Sequence, residues 1–237
     1  MRILAFNSSP RDNQTSKTEM VLQSFLEGAR RAGAETETLY LRNYKIKHCL
    51  GCFSCWVKTP GRCVQKDDMA EQLYDRYIAA DLVVLATPLY HYNMNARMKM
   101  FIERTLPMVS PLFKDRGERT GHPCRFERVP QVAAVSVCGF PEPEHFRALS
   151  LNLRMIFKDL LVAEIYRHAA EALPAPPLAA KAQEVLAAVS RAGEELVREG
   201  KVKPETLAAA TQDLAPRELI IQLANEYWQR ELDKVSG

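Results

Sequence analysis

Glycine is scarce in this chain, ten residues in 237, and none lies between Asn7 and Thr18, the segment after the first apolar stretch. That absence excludes a G-x-G-x-x-G dinucleotide fingerprint and a G-x-x-x-x-G-K-[ST] triphosphate loop there, since both need glycine where backbone approaches phosphate. An excess of one charge is lacking too. With 32 Lys+Arg against 29 Asp+Glu, there is no concentrated basic face of the kind nucleic acid requires, so no nucleic-acid partner is expected. No apolar run approaches the roughly 20 residues of a membrane span. The N-terminus offers only Ile3 to Phe6 before turning polar, too little for a signal-peptide core. A cytoplasmic protein with no membrane span is expected, long enough to bury its core without disulfides. Internal repeats and low-complexity tracts are absent as well.

What is present is an alternation of short apolar stretches with helical patterns. Arg2 to Phe6 reads as a buried strand, and Ser16 to Ala32 as a helix with Met20, Val21, Phe25 and Ala29 on one face. Glu35 to Leu41 alternates as a strand near a sheet edge does, and Asp68 to Ala79 reads as the next helix, with Asp67-Asp68 as its N-cap. Asp81 to Thr87 and Gln131 to Val137 are apolar on both faces, as central parallel strands are. Met94 to Leu106 and His145 to Leu160 read as helices, and Val162 to Tyr166 can close the sheet. Five strands alternating with helices predict a doubly wound α/β domain.

Two segments fall outside this alternation. Pro107 to Pro130 is polar and irregular, and Arg97 to Arg128 carries eight Arg/Lys against four Asp/Glu. It reads either as a solvated loop or as a flap or anion patch at a ligand. Pro174-Ala-Pro-Pro177 breaks the chain, separating an expected domain at 1–173 from a helical extension at 174–237, packed on the same domain or on a partner subunit. Within the extension Leu178 to Arg198 is helical, and Pro204 and Pro216 can each start a new helix. Leu219, Ile220, Leu223, Tyr227, Trp228 and Leu232 make one apolar stripe, for core packing or a subunit contact.

Ligands of a doubly wound sheet sit at the carboxyl ends of its strands. The first such loop, Asn7 to Thr18, offers hydroxyls and amides at a helix N-terminus with Arg11 and Lys17 nearby, which suits a phosphate or simply caps the helix. The second, Thr87-Pro-Leu-Tyr-His-Tyr-Asn-Met94, places aromatics and amides where a flat heterocycle such as an isoalloxazine ring would lie. Its His91 could donate a hydrogen bond to that ring or to a substrate, or serve structure alone. In the third, Val137 to Pro141, Gly139 lets a ligand edge approach and Cys138 lines the crevice.

Ser9-Pro-Arg11 with its following Thr/Ser run, and Thr87-Pro-Leu-Tyr90 leading into the helix Ala96 to Arg104, resemble the flavodoxin-like NAD(P)H-dependent FMN reductase and iron–sulfur flavoprotein families. The resemblance covers about residues 1 to 170; one departure is Ser8, where the family often has glycine. It implies a five-stranded parallel sheet of order 2-1-3-4-5, FMN as cofactor and NAD(P)H as cosubstrate. It also implies that Ser9, Arg11, Thr15, Ser16 and Thr18 contact the FMN phosphate. Pro88, Leu89, Tyr90, Asn93 and Met94 would contact the ribityl chain or ring, and the loops themselves add His91, Cys138 and Gly139 as cofactor contacts.

Four of the six cysteines crowd together as Cys49-x2-Cys52-x2-Cys55-x7-Cys63, after the second strand and so beside the FMN edge. They could hold an iron–sulfur centre such as [4Fe-4S], or a zinc ion, or be plain packed thiols. The leading functional expectation is an FMN-dependent NAD(P)H oxidoreductase passing electrons to a small acceptor such as a quinone or free flavin. Against it stand an iron–sulfur flavoprotein-type carrier serving a protein partner, and an empty fold kept for interaction. Related flavoproteins imply a homodimer or homotetramer.

Overall fold

Period-two alternation along the strands decides which residues face which helices. β1 (Arg2–Asn7), β2 (Glu35–Tyr40), β3 (Leu82–Tyr90), β4 (Gln131–Val137) and β5 (Leu161–Arg167) form a parallel sheet in the order β2-β1-β3-β4-β5. This computed structural model describes all residues except Arg116 and Glu118, which belong to the basic stretch, and Gly237. The expected doubly wound, flavodoxin-like order is observed. Ile3 of β1 stands opposite Thr36 of β2 and Leu82 of β3, and Leu82 stands opposite Gln131 of β4.

Ile3, Ala5, Val84, Val135 and Ile165 face one way, against α1 (Lys17–Arg31). Leu4, Phe6, Val83, Leu85 and Ala134 face the other. There they meet α2 (Tyr74–Ala79), α3 (Ala96–Glu103) and α4 (Arg147–Phe157) through Tyr77, Phe101 and Leu149. Where buried on both faces, β3 and β4 are apolar but for Thr87 and Ser136 near their carboxyl ends, where the Ser136 hydroxyl donates to the Thr87 carbonyl.

The return helix α5 (Ala179–Glu199) lies against α1 and shares its core through Val185, Val189 and Ala192. Two glycines permit that approach. A Cβ on Gly28 would stand 1.7 Å from the Ser190 carbonyl oxygen, and one on Gly193 would stand 2.0 Å from that of Phe25. The extension ends in α6 (Pro204–Thr211) and α7 (Arg217–Ser236). The α7 stripe divides: Ile220 is buried, while Tyr227, Trp228 and Leu232 are exposed.

Three predicted elements differ. The helix expected from Met94 starts only at Ala96, because Asn93 and Met94 pair antiparallel with Tyr90 and Leu89. The helix expected from Asp68 opens with a π turn, Met69–Leu73. The helix expected over His145–Leu160 has a 3-10 turn at each end, Pro143–Phe146 and Lys158–Leu160. Among the described residues no helix is long and apolar enough to cross a membrane.

Candidate functional site

Asn7 ends β1 fully buried, and its side chain shapes the loop that follows. Its Oδ1 accepts the Ser9 N–H at 2.8 Å and its Nδ2 donates to Glu19 Oε2 at 2.6 Å. Glu19, in the first turn of α1, also accepts from Gln23 Nε2 at 2.9 Å and from the Tyr40 hydroxyl at 2.8 Å. Burial, with the Glu19 carboxylate beside it, raises the Tyr40 hydroxyl above its ordinary pKa. Ser16 caps α1, accepting the Glu19 N–H at 3.1 Å, and its hydroxyl donates to Ser9 Oγ at 2.9 Å. The first-turn amides of Lys17 and Thr18 have no intrahelical acceptor.

Two carboxylates, Asp12 and Glu171, engage other groups of the first loop. Asp12 accepts the Gln14 N–H at 2.9 Å, the Thr15 N–H at 3.1 Å and the Thr15 hydroxyl at 3.2 Å. These bonds, the Thr15 amide foremost, hold its carboxyl below the usual range. Arg11 Nη1 meets Glu171 Oε1 at 2.8 Å, and Lys17 Nζ lies 3.8 Å from Glu171 Oε2. Of the predicted phosphate contacts, Ser9, Ser16 and Thr18 are thus buried at the loop, whereas Arg11 and Thr15 are exposed.

The predicted second loop is a hairpin. β3 runs on through Pro88, Leu89 and Tyr90, turns at His91 and Tyr92, and returns as Asn93–Met94. Both turn residues are left-handed, with φ of 46° and 62°. A two-residue hairpin demands that conformation, and glycine or asparagine normally supplies it. Left-handed His and Tyr cost of order 1 kcal/mol each and occur preferentially at ligand sites. Asn95 then caps α3 through the Met98 N–H at 3.1 Å and donates to the Ser8 carbonyl at 2.8 Å, tying the hairpin to the first loop.

The third loop closes the same edge. The Tyr92 ring lies 5.5 Å from His145, which lies 4.5 Å from Phe140. Cys138 is buried, and burial pushes its thiol up to about 11. Gly139 is exposed beside Glu171, whose Cγ would stand 3.6 Å from a Cβ placed there. All three predicted loops therefore meet at one edge. Their links, Asn7, Asn95, His145 and Glu171, were not singled out from sequence. A helix-start pattern marks Asn95; nothing local marks Glu171.

The four-cysteine segment lies on the other side of β1, after β2. Phe53, left-handed at φ 52°, introduces the single turn Ser54–Val57. Cys52 is exposed, and hydrogen bonds from Ser54 lower its thiol pKa. Cys55 is buried; burial raises its thiol, and Cys63, Cys49 and Cys52 raise it further. Among the described residues no three His, Cys, Asp or Glu side chains are grouped to hold a metal ion.

A buried ion pair clasps the base of this loop. Arg104 donates to Asp67 at 2.6 and 3.0 Å, with the side chains 1% and 0% exposed. Arg104 also donates to the Lys47 carbonyl at 2.8 Å, and Asp67 accepts the Lys47 N–H at 2.9 Å and the Ala70 N–H at 3.1 Å. Burial works to raise the Asp67 carboxyl, but Arg104 and the two amides outweigh it and hold the carboxyl low. Asp67 is thus the helix cap the sequence predicts and a clasp besides. The irregular segment after α3 packs on the cysteine loop: Trp56 Nε1 donates to the Leu106 carbonyl at 3.4 Å, and the Trp56 and His122 rings lie 4.9 Å apart.

The first-loop donor set, the Lys17 and Thr18 amides with the Ser9 hydroxyl, fits the phosphate of FMN. An iron–sulfur flavoprotein of Archaeoglobus fulgidus is 36% identical over 107 residues, covering 45% of this chain and 46% of that protein. The chain thus spans about half the length of the curated relatives it matches. An FMN-dependent NADH-azoreductase from Bacillus anthracis in complex with FMN superposes with a TM-score of 0.61 at 16% identity, over 83% of this chain and 99% of that one. The NAD(P)H:quinone oxidoreductase from Methanothermobacter marburgensis gives 0.59 at 17% identity, over 83% and 96%. At these identities the structures share the fold. The sequence match is the stronger tie: the model for NADPH-dependent FMN reductases matches residues 1–123, from the first loop through the hairpin, and the chain belongs to that family.

Proposed function

We propose that this chain is an FMN-dependent oxidoreductase that takes electrons from NAD(P)H and passes them to a small acceptor such as a quinone. One observation carries the reading: the open amides of Lys17 and Thr18 lie at the same sheet edge as the strained hairpin around His91 and Tyr92. FMN, when bound, supplies the hydride-accepting and electron-passing chemistry. The chain's own residues bind and orient it. Ser9, Ser16 and Thr18 with the α1 amides hold the phosphate, while Pro88 to Tyr90, His91, Asn93 and Met94 lie along the ribityl chain and ring. Cys138, its thiol held neutral by burial, lines the crevice near Gly139. No side chain has to act as a general acid or base.

Reconstitution of the purified chain with FMN, followed by anaerobic addition of NADPH or NADH, tests the proposal. Bound flavin that bleaches with a pyridine nucleotide is expected. Absence of bound flavin defeats the assignment, and bleaching by dithionite alone moves it to the carrier reading. Ser9→Ala should weaken FMN about tenfold, as expected for a lost hydrogen bond to a charged group.

The cysteine spacing and the named relatives favour a second reading, an iron–sulfur flavoprotein-type carrier serving a protein partner. Cys49, Cys52, Cys55 and Cys63 would then be the ligands, and the other three already act electrostatically on Cys55. Iron and sulfide analysis after anaerobic reconstitution separates the two readings. A homodimer or homotetramer fits the exposed Tyr227 and Trp228 on α7, and sedimentation velocity checks it.

A further inference from the structure

The cations proposed to face phosphate already have an anion. Glu171 follows β5, lies 160 residues from Arg11 in sequence, and reaches back to place one oxygen 2.8 Å from Arg11 and the other 3.8 Å from Lys17 Nζ. Asp12 also engages the loop, but through the amides and hydroxyl of its own turn, so it fixes the loop's path. Glu171 contacts only the two cations there, among the contacts of the described residues. Its side chain is 55% exposed and Arg11 is 50% exposed, so the pair can exchange partners at little cost. Carboxylate and phosphate use a guanidinium in the same way, through paired N–H···O bonds.

Resting on the placement of a phosphate in the first loop, we propose that Glu171 is a specificity-determining competitor. It occupies Arg11 and Lys17 while the site is empty and yields them to a phosphate group. A phosphate dianion outbids a single carboxylate through its greater charge and extra acceptor oxygens. A flavin without phosphate has no use for the cations and leaves Glu171 in place. Glu171 therefore lowers the affinity for FMN without touching that for riboflavin, and sets how strongly the site depends on ionic strength.

The test is titration of the full chain, stripped of flavin, with FMN and with riboflavin at low and high salt. Glu171→Gln should tighten FMN about two- to fivefold at low salt, the range of an exposed ion pair, with the gain shrinking as salt rises. Glu171→Lys should tighten it further, and riboflavin should be unaffected by either change. Unchanged or weaker FMN binding in Glu171→Gln overturns the competitor role; weaker binding would mean that Glu171 orients Arg11 for the phosphate. The Ser9→Ala variant separates the two layers. If the unaltered chain binds FMN no better than riboflavin and Ser9→Ala changes neither, the phosphate placement falls and the competitor role with it. If FMN outbinds riboflavin and Ser9→Ala weakens it, the placement stands and only Glu171→Gln decides.

Discussion

Two arginine–carboxylate pairs in the molecule behave oppositely. Arg104 and Asp67, under the cysteine loop, are sealed from solvent and hydrogen-bonded to the Lys47 and Ala70 backbone as well as to each other. Arg11 and Glu171, at the first loop, touch only through their charged ends, and both are about half exposed. The contact distances are alike, 2.6 against 2.8 Å. Solvent makes the difference. A buried charge left unpaired has nothing to replace its partner, so the inner pair is a fixed clasp. An exposed charge exchanges its partner for water or a ligand with little penalty, which suits the outer pair to a binding site.

The largest effect should come from breaking the clasp. Asp67→Asn or Arg104→Gln should each cost about 3–5 kcal/mol of stability in urea unfolding, the loss typical of removing one partner from a buried pair. The double variant should recover part of that loss, because neither charge is then stranded. A single-variant loss under about 1 kcal/mol would mean that the two pairs are not different in kind.

His168 offers an intermediate case. It is buried, with Nε2 2.8 Å from Asp213 Oδ1, and burial, then the neighbouring Arg167, push its imidazole pKa down against the pull of Asp213. A group neutral in the fold but protonated in the unfolded chain stabilises above its unfolded pKa near 6.5. That contribution should be lost as pH falls below about 6.5, by at most about 1.4 kcal/mol per pH unit. His168→Gln should flatten this slope in thermal melts at pH 7.5 and 5.5; an unchanged slope would assign the pH dependence elsewhere.

The smallest effect sharpens the comparison from the exposed side. Glu171→Gln should change folding stability by less than about 0.5 kcal/mol, even while it shifts FMN affinity. A larger loss in the same unfolding assay would make the outer pair structural.

Much of the fold could be read from local pattern. β3 and β4 are apolar on both faces, and only a central position in a parallel sheet uses such strands. The hairpin could not be read this way: Met94 fits the periodicity of the following helix, and only its pairing with Leu89 assigns it to the sheet. Arg104 is the sharper failure. It sits in the basic stretch from Arg97 to Arg128, which reads as a solvated loop or as a flap or anion patch at a ligand, yet its side chain is among the most buried charges in the molecule. The first loop was legible as hydroxyls and amides before a helix; its engagement by Asp12 was local and could have been foreseen, whereas that by Glu171 was not.

By itself the sequence determined the strand and helix alternation, the faces of the sheet, and which loops gather at its carboxyl edge. These follow from periodicity and end signals that act over a few residues. Only the tertiary structure decided which charges meet and which are sealed. Arg11 meets Glu171 across 160 residues, Arg104 meets Asp67 across 37, and Arg167 is wholly buried against the carbonyls of Ala210 and Gln212. The energy of a charge depends on the solvent and dipoles around it, and in a folded chain those come from segments far apart in sequence.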